Sequence, residues 1–275
     1  MKNILCNFIQ KFRQKTITLL PGIWFLDPPK DVSLDGYRID NVIQYTDLVI
    51  TIYFSIVVLL MLYFILKYRH RPGHKAVYEK GESKKHIGFT VCMGMLVFLS
   101  IDVVIEGMSF RDLKEAFWNF PKGDNVVKVE VMPQQFAWNF RYTGTDGEFG
   151  TEDDLIPAQN QMHIPVNTPV VIQIAPLDVI HSFFIPNFRV KVDATPGMVN
   201  TMWFQATETG EFEIACAELC GNSHYRMKGI LTVESQEDYN NWLNTLEEEG
   251  PEDEWEDDDD EGVPSRWGWA WKESE

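Results

Sequence analysis

Five side chains of types that bind soft metals lie close together in the second half of the sequence. Cys216, Cys220, His224 and Met227 fall within twelve residues, and His181 lies upstream in an apolar stretch. Thiolate, imidazole and thioether groups are the ligands that select copper. A mononuclear blue-copper site uses one Cys, two His and a weak Met, so this set contains one thiolate more. The set therefore predicts a dinuclear copper centre in which both thiolates bridge two metals.

The predicted centre divides the other ligands between the two metals. One copper ion would take His181, and the other would take His224 with Met227 as a weak axial ligand. Other interpretations stay open, since two cysteines spaced C-x3-C can form a disulfide in an exported domain. Cys and His also bind zinc, although Met is a poor zinc ligand, and a lone His in an apolar stretch is usually a core residue. The joint occurrence of all five ligands favours copper.

The same segments resemble a known family. Residues 216–227 read C-x-E-x-C-G-x-x-H-x-x-M, which resembles the dinuclear copper (CuA) loop in subunit II of cytochrome c oxidases. The segments His181–Pro186 and Lys191–Gly197 are similar to the same family. The resemblance extends from about residue 42 to about residue 240 and is strongest in the C-terminal half. It implies that CuA accepts electrons from a c-type cytochrome and passes them to a haem of subunit I. Oxygen would be reduced there to water, coupled to proton translocation.

The resemblance implies roles for three acids. The backbone carbonyl of Glu218 would complete the coordination of the copper bound to His181, and its side chain would bind magnesium at the interface with subunit I. An ordinary solvated acid is the alternative for that side chain. Asp178 and Asp193 match acidic positions that the family uses to dock the electron donor. Each of these two could instead be a turn or strand-edge acid.

Two positions depart from the family pattern. The family has Gln-Trp-x-Trp on its second strand, where the first Trp receives the electron, but this chain has Phe136 there and Trp138 two residues later. Either Trp138 receives the electron instead, or the donor docks differently. The family also has a glutamate at the start of its second helix, feeding a proton channel in subunit I. Here residues 84–87 read KKHI, so no proton-uptake residue is assigned.

Two apolar segments precede the copper ligands. Leu48–Leu66 contains nineteen residues without a charge, which is long enough to cross a bilayer core of about 30 Å as a helix. A strongly basic connection follows, and then a second apolar segment from Ile87 to Ile105. We expect a transmembrane hairpin over residues 42–108, with helices at about 42–66 and 86–106. By the positive-inside rule we expect the connection to lie in the cytoplasm. The copper domain would then lie in the periplasm, with the hairpin in a bacterial inner (cell) membrane.

The hydrophobic period changes to two after residue 125. Strands are predicted at 126–132, 136–142, 160–164, 169–175, 180–185, 199–205, 211–216 and 228–234. Many short strands with Gly and Pro between them indicate a β-sandwich or barrel. The family resemblance implies a cupredoxin-like Greek-key β-barrel over residues 120–246, closed by a helix from Ser235 to Leu246. The predicted fold class is therefore membrane α + β.

Most of the negative charge of the chain lies in its C-terminal tail. The 275 residues carry a formal net charge of −17, and residues 247–275 contain fourteen acids and two bases, so the remainder carries −5. The acidity makes nucleic acid an unsuitable partner. The tail is predicted to be a solvated segment, with docking through Trp255, Trp267, Trp269 and Trp271 as the alternative. Residues 1–41 are expected to form an extramembrane arm, although residues 17–26 can also be interpreted as a signal-peptide core.

Three classes of function compete. The leading one is the copper subunit of a proton-translocating cytochrome c oxidase, whose haems would lie in subunit I. Its expected partners are subunit I, other oxidase subunits and a c-type cytochrome, which could bind within a respiratory supercomplex. The second is the CuA subunit of a nitric oxide reductase. The third is a membrane-tethered copper carrier, which would need an exposed and exchangeable site. A quinol oxidase subunit is disfavoured, because those relatives have lost the copper ligands.

Overall fold

The computed structural model describes residues 28–75, 78–123, 125–151 and 153–249. Every element described below belongs to one compact unit, which begins at Asp31. Most of the expected N-terminal arm and the acidic tail from residue 250 onward lie outside the described residues.

Two long helical runs form the predicted hairpin. Helix α1 spans Gly36–Lys67. The second run contains α2 (Lys84–Ser100), α3 (Asp102–Asp112) and a π-helical turn (Leu113–Phe117). Both runs are long and apolar enough to cross a membrane, and almost none of their apolar surface is buried within the molecule. The two-helix anchor predicted from the sequence is confirmed.

Both runs extend beyond the residues that the sequence pattern indicates. Helix α1 starts at Gly36 because the hydroxyl Oγ of Ser33 accepts the Gly36 N–H at 2.9 Å. A side chain at position 36 would overlap Asp31, since a Cβ there would lie 2.1 Å from its Oδ1. The second run breaks at Ile101, where the Ser100 hydroxyl bonds back to the carbonyl of Leu96 at 2.7 Å. Local polar contacts thus set these bounds.

Among the described residues, nine strands follow the hairpin. They are β1 (Val127–Gln134), β2 (Ala137–Tyr142), β3 (Gln161–Pro165), β4 (Pro169–Ile174), β5 (His181–Ile185), β6 (Val190–Ala194), β7 (Asn200–Gln205), β8 (Gly210–Cys216) and β9 (Lys228–Glu234). One sheet has the order β2-β1-β4-β7 and the other the order β3-β9-β8-β5-β6. The fold confirms the cupredoxin-like β-domain. Strand β6 was not predicted, although its alternating sequence VKVDA fits a strand.

The core lies between the two sheets. Strands β1 and β4, and likewise β3 and β9, pair in parallel, whereas the other pairs are antiparallel. Strand β4 alternates buried and half-buried residues, as expected for a strand with one face on the core. The final helix, α4 (Gln236–Glu249), packs on the barrel through Trp242, Leu243 and Leu246. Its predicted N-cap Ser235 accepts the N–H of Asp238 at 3.1 Å.

Polar contacts attach the barrel to the ends of the helices. Arg189, which precedes β6, pairs with Asp40 of α1 at 2.7 Å. The indole N–H of Trp203 on β7 donates to the carbonyl of Ala116 in the π-helical turn at 2.6 Å. The barrel therefore contacts both helical runs.

Candidate metal centre

Two adjacent strands and the loop after them supply the predicted ligands. His181 opens β5, and Cys216 closes the neighbouring antiparallel strand β8. The chain then forms an irregular loop with Cys220, and a short 3₁₀ turn that begins at His224. Met227 follows this turn, immediately before β9. Two strands of the barrel thus hold His181 and Cys216, while the loop between β8 and β9 carries the other three predicted ligands.

The structure brings all five predicted ligands together. The Sγ atoms of Cys216 and Cys220 lie 3.8 Å apart, and both cysteines are free thiols. His181 Nδ1 lies 3.9 Å from Cys216 Sγ, while His224 Nδ1 lies 3.6 Å from Cys220 Sγ. The thioether sulfur of Met227 lies 3.7 Å from Cys220 Sγ. The paired thiols are therefore flanked by one histidine on each side.

The ligands are unequally exposed. His181, Cys220 and Met227 are buried, whereas Cys216 and His224 are partly exposed. The thiol of Cys216 also points at the carbonyl oxygen of Glu218, 3.2 Å away. The side chain of Glu218 itself is exposed. The centre is thus enclosed by the barrel, and one side of it faces the surface.

The acid Asp178 supports His181 from the side away from the thiols. Its Oδ1 accepts hydrogen bonds from His181 Nε2 at 2.8 Å and from the Val179 N–H at 2.6 Å. Its Oδ2 accepts the backbone N–H of Gln135 at 2.7 Å. Partial burial opposes ionisation, but the hydrogen bond from His181 and the two backbone donors lower the pKa of Asp178. With a proton held on Nε2, the Nδ1 lone pair of His181 faces Cys216.

The sequence pattern missed this supporting role of Asp178, because it indicated either donor docking or a turn or strand-edge acid. A usable signal was present, since an Asp three residues before a ligand His can reach the second ring nitrogen. Asp193 differs from Asp178. Its exposed carboxylate accepts hydrogen bonds from Lys191 at 2.8 Å and from the Ser182 hydroxyl at 2.7 Å. These two contacts lower the pKa of Asp193.

The segment before β2 supports the ligand loop from the other side. The side-chain amide of Gln135 donates to the carbonyl of Cys220. Gly221 has φ +135°, and a Cβ there would lie 2.6 Å from Gln135 Nε2 and 3.1 Å from the Phe136 ring. Only glycine fits this close approach without strain. Gln135 therefore connects to both sides of the centre, through its backbone to Asp178 and through its side chain to Cys220.

The two aromatic residues predicted to receive electrons occupy different environments. Trp138 is completely buried, with its ring centroid 6.3 Å from that of His181 and 5.4 Å from that of Phe183. Its indole N–H has no hydrogen-bond partner among the described residues. Phe136 is partly exposed and lies beside Gly221 of the ligand loop. A partner protein can therefore reach Phe136 but cannot contact Trp138 directly.

The two thiols have opposite acidities. Burial opposes ionisation of Cys216, but hydrogen bonding with His181 and with the backbone of Ser182 lowers its pKa to about 6. Burial, together with the charge of Cys216, raises the pKa of Cys220 to about 12. Burial opposes protonation of His181, yet its contacts with Cys216 and Asp178 raise its pKa. One thiolate thus forms readily, while the second needs a cation beside it.

The donor set fits copper. The ligand atoms of His181, Cys216 and Cys220 all lie within 4.8 Å of one another, and His224 and Met227 approach Cys220. Thiolate, imidazole and thioether together match the preference of copper, whereas hard cations take oxygen ligands. The buried thioether disfavours the zinc alternative.

Comparison with known proteins gives consistent matches. Residues 127–234 match the family "Cytochrome C oxidase subunit II, periplasmic domain". The chain is 32% identical over 231 residues to the alternative cytochrome c oxidase subunit 2 of Bradyrhizobium diazoefficiens, covering 76% of this chain and 79% of that one. It is 33% identical to cytochrome c oxidase subunit 2 of Alkalihalophilus pseudofirmus, covering 71% of this chain and 55% of that one. The crystal structure of the periplasmic domain of subunit II of the Bradyrhizobium japonicum oxidase aligns with a TM-score of 0.39 and 32% identity, covering 47% of this chain and 97% of that one.

Proposed function

Because the chain belongs to the cytochrome c oxidase subunit II family, we propose that its metal centre is a dinuclear copper centre, CuA. The general role of this family is electron transfer within a haem-copper oxidoreductase. The proposed ligands are His181, Cys216, Cys220, His224, Met227 and the backbone carbonyl of Glu218.

One observation carries this proposal, namely the pair of thiols with a histidine on each side. The sulfur atoms of Cys216 and Cys220 lie 3.8 Å apart, which suits two thiolates shared between two metals. The distances from these sulfurs to His181 and His224, 3.9 and 3.6 Å, are nearly equal. A mononuclear blue-copper site contains one thiolate ligand, so it does not account for the second cysteine.

The residues of the chain hold the centre in place and bury three of its five proposed side-chain ligands. Copper bound there would supply a one-electron carrier whose charge is shared over two metals. Asp178 and Gln135 fix the ligands from two sides, and the sheet on which His181 and Cys216 both lie resists rearrangement. Such support from neighbouring residues orients ligands and tunes a metal. Enclosure of the ligands also argues against a copper carrier, which needs an exchangeable site.

The surface beside the ligand loop suits a protein partner. Leu219 and Tyr225 are 75% and 81% exposed, and Ile180 is also exposed. Exposed aromatic and aliphatic residues are typical of interface centres. We propose a c-type cytochrome as the electron donor, with Phe136 as the aromatic contact nearest the centre. Docking through the carboxylates of Asp178 and Asp193 stays a prediction.

The remaining assignments follow the family. Subunit I would receive the electron, and the exposed carboxylate of Glu218 would offer one ligand to magnesium at that interface. The two apolar helices suit anchoring in a bacterial inner (cell) membrane, with the barrel in the periplasm and the basic connection in the cytoplasm.

Metal analysis and EPR spectroscopy of the purified chain test the dinuclear assignment. We expect two copper ions per chain and an unpaired electron delocalised over both nuclei. Cys216→Ser should lose both features, whereas Cys92→Ser, which removes a thiol of helix α2, should retain them. One copper per chain with a localised copper(II) spectrum would contradict the proposal.

A further inference from the structure

The exposed apolar side chains of the β-domain are concentrated on a few surface segments. Among the described residues from Val127 onward, eight large apolar or aromatic side chains are exposed: Leu177, Val179, Ile180, Met198, Val199, Leu219, Tyr225 and Ile230. The first five of these lie in only two connections, residues 175–180 and 195–199. Single exposed apolar residues are ordinary, but a contiguous group of them marks an interaction site. We call these five residues the apolar face.

The two connections run side by side. The first joins β4 to β5 and the second joins β6 to β7, so both cross from one sheet to the other. Their ends are neighbours in the sheets, because Ile174 pairs with Asn200 and His181 pairs with Ala194. The apolar face is therefore one surface at one end of the barrel. His181, a proposed copper ligand, follows Ile180 directly.

The apolar face adjoins the aromatic residue that is proposed to contact the donor. The Leu177 N–H donates to the carbonyl of Pro133 at 2.9 Å, and Asp178 accepts the Gln135 N–H at 2.7 Å. These bonds hold the first connection against the turn that carries Phe136, which is itself partly exposed. A partner that covers the apolar face can thus reach Phe136 and the edge of the metal centre at the same time.

The salt bridge between helix α1 and the barrel lies away from this face. Asp40 of α1 pairs with Arg189, which is in the turn between β5 and β6. The length of β5 separates that turn from His181, and its five residues span about 16 Å. All five side chains of the apolar face are therefore left exposed by the part of the chain that the structure describes.

Charge is scarce on the apolar face. Its two connections contain a single charged residue, Asp178, whose carboxylate accepts hydrogen bonds from His181 and from two backbone N–H groups. The neighbouring Asp193 is paired with Lys191 at 2.8 Å. Both acids are thus engaged within the chain, and a lysine of a partner would have to compete with these contacts.

We propose that the apolar face docks the electron donor, and that the donor is a c-type cytochrome whose exposed haem edge is surrounded by apolar side chains. This inference rests on the proposed function, and it is the alternative to docking through Asp178 and Asp193. Leu219 and Tyr225 are left out of the docking face, because they lie in the ligand loop with Glu218, which is assigned to the interface with subunit I. Steering by charge weakens as salt shortens its range, whereas apolar contact does not. Donor recognition should therefore depend little on ionic strength.

The test measures how fast the full-length, copper-loaded chain in detergent oxidises two reduced cytochromes, one with an apolar haem edge and one with a ring of lysines around it. One electron passes from the ferrous haem to the oxidised centre, and stopped flow follows its loss between about 10 and 300 mM KCl, where the Debye length falls from about 30 Å to below 8 Å. We expect the rate with the apolar cytochrome to change by less than about twofold over this range. At the highest salt it should exceed the rate with the lysine-ringed cytochrome, because the charges of the acidic tail are then screened.

Substitutions at Met198 separate apolar contact from charge. Met198→Lys and Met198→Glu should both slow the reaction with the apolar cytochrome by about tenfold at high salt, because either charge has to be desolvated in the interface. Steering by charge would instead move the two variants in opposite directions. Leu177→Ser should slow the reaction as well. Ile230→Ser is the matched control, since it removes an exposed apolar residue outside the face and should keep the wild-type rate.

A small inorganic reductant distinguishes failure of this inference from failure of the proposed function. Hexaammineruthenium(II) should reduce every variant at the wild-type rate at high salt, since it needs no docking face. Absence of a dinuclear copper signal in the wild type would overturn the proposed function. With copper intact, the inference alone is overturned if both Met198 variants react as fast as Ile230→Ser, or if they change the rate in opposite directions. It is also overturned if these variants lose their effect in the assembled oxidase, because another subunit would then occupy the face.

Discussion

Asp178 binds the far nitrogen of His181, with its Oδ1 2.8 Å from Nε2 on the side of the imidazole ring opposite Cys216. The same carboxylate accepts the backbone N–H groups of Val179 and Gln135. It therefore fixes both the tautomer and the orientation of a proposed copper ligand.

Replacement of this carboxylate should weaken the metal centre. We expect Asp178→Asn to lower copper affinity by about ten- to a hundredfold, because an amide accepts the Nε2 proton less strongly. Competition with a copper chelator measures the change. Asp193→Asn is the matched control, since it removes the same charge from an exposed acid that contacts Lys191 and Ser182. Equal affinities in the two variants would refute the supporting role of Asp178.

Copper binding should release protons in a pH-dependent number. Near pH 8 the metal must displace the proton of Cys220, whose pKa is about 12 in the metal-free site. Below the raised pKa of His181 the proton on its Nδ1 is displaced as well, and below about pH 6 Cys216 adds another. Apparent affinity should therefore fall more steeply as the pH drops through 6. Calorimetry in buffers of different ionisation enthalpy measures the count, and a constant count from pH 8 to pH 5 contradicts this assignment.

Gly221 should be essential to the ligand loop. A methyl group there would meet the Gln135 amide and the Phe136 ring, and the backbone has a positive φ. We expect Gly221→Ala to destabilise the chain by about 1–3 kcal/mol and to reduce its copper content. Thermal unfolding and metal analysis check both effects. Gly197→Ala is the control, because Gly197 has φ +79° but no atom within 4 Å of the Cβ position. Retention of copper in both variants would show that the contact around Gly221 is dispensable.

Phe136, the partly exposed aromatic residue beside the ligand loop, should control the rate at which the donor reacts. We expect Phe136→Ala to slow reaction with a c-type cytochrome by about tenfold without loss of copper, as for a contact at the centre of an interface. Trp138→Phe should leave donor binding unchanged and affect stability instead, because Trp138 is completely buried. Stopped-flow oxidation of the cytochrome distinguishes the two. A slow reaction confined to Trp138→Phe would exclude Phe136 as the contact.

Local sequence signals explain much of the site and part of the fold. The ligand loop is short, so four of the five ligands, from Cys216 to Met227, were recognisable as one group by type and spacing. The helical hairpin was recognisable because its apolar segments are long, with no charge in Leu48–Leu66 and only Asp102 in Ile87–Ile105. Neither prediction needed contacts between distant parts of the chain.

Relations between distant segments were not predictable from local pattern. The parallel pairing of β1 with β4, and of β3 with β9, depends on packing across the barrel. The same limit applies to Gln135, which reaches Cys220 across 85 positions of the chain. Burial of Trp138 likewise depends on Phe183 and His181, which lie on another strand. An alternating pattern indicates a strand but does not identify what covers it.

The contacts of Arg189 with Asp40 and of Trp203 with Ala116 determine how electrons can travel. A domain on a flexible linker could swing between its donor and its acceptor. The barrel instead contacts both helical runs, so the proposed copper ligands keep one position relative to the helices. The distance from the proposed centre to an acceptor that binds these helices would then stay fixed. Turnover would respond to how often a donor arrives and docks, with no contribution from a moving carrier arm.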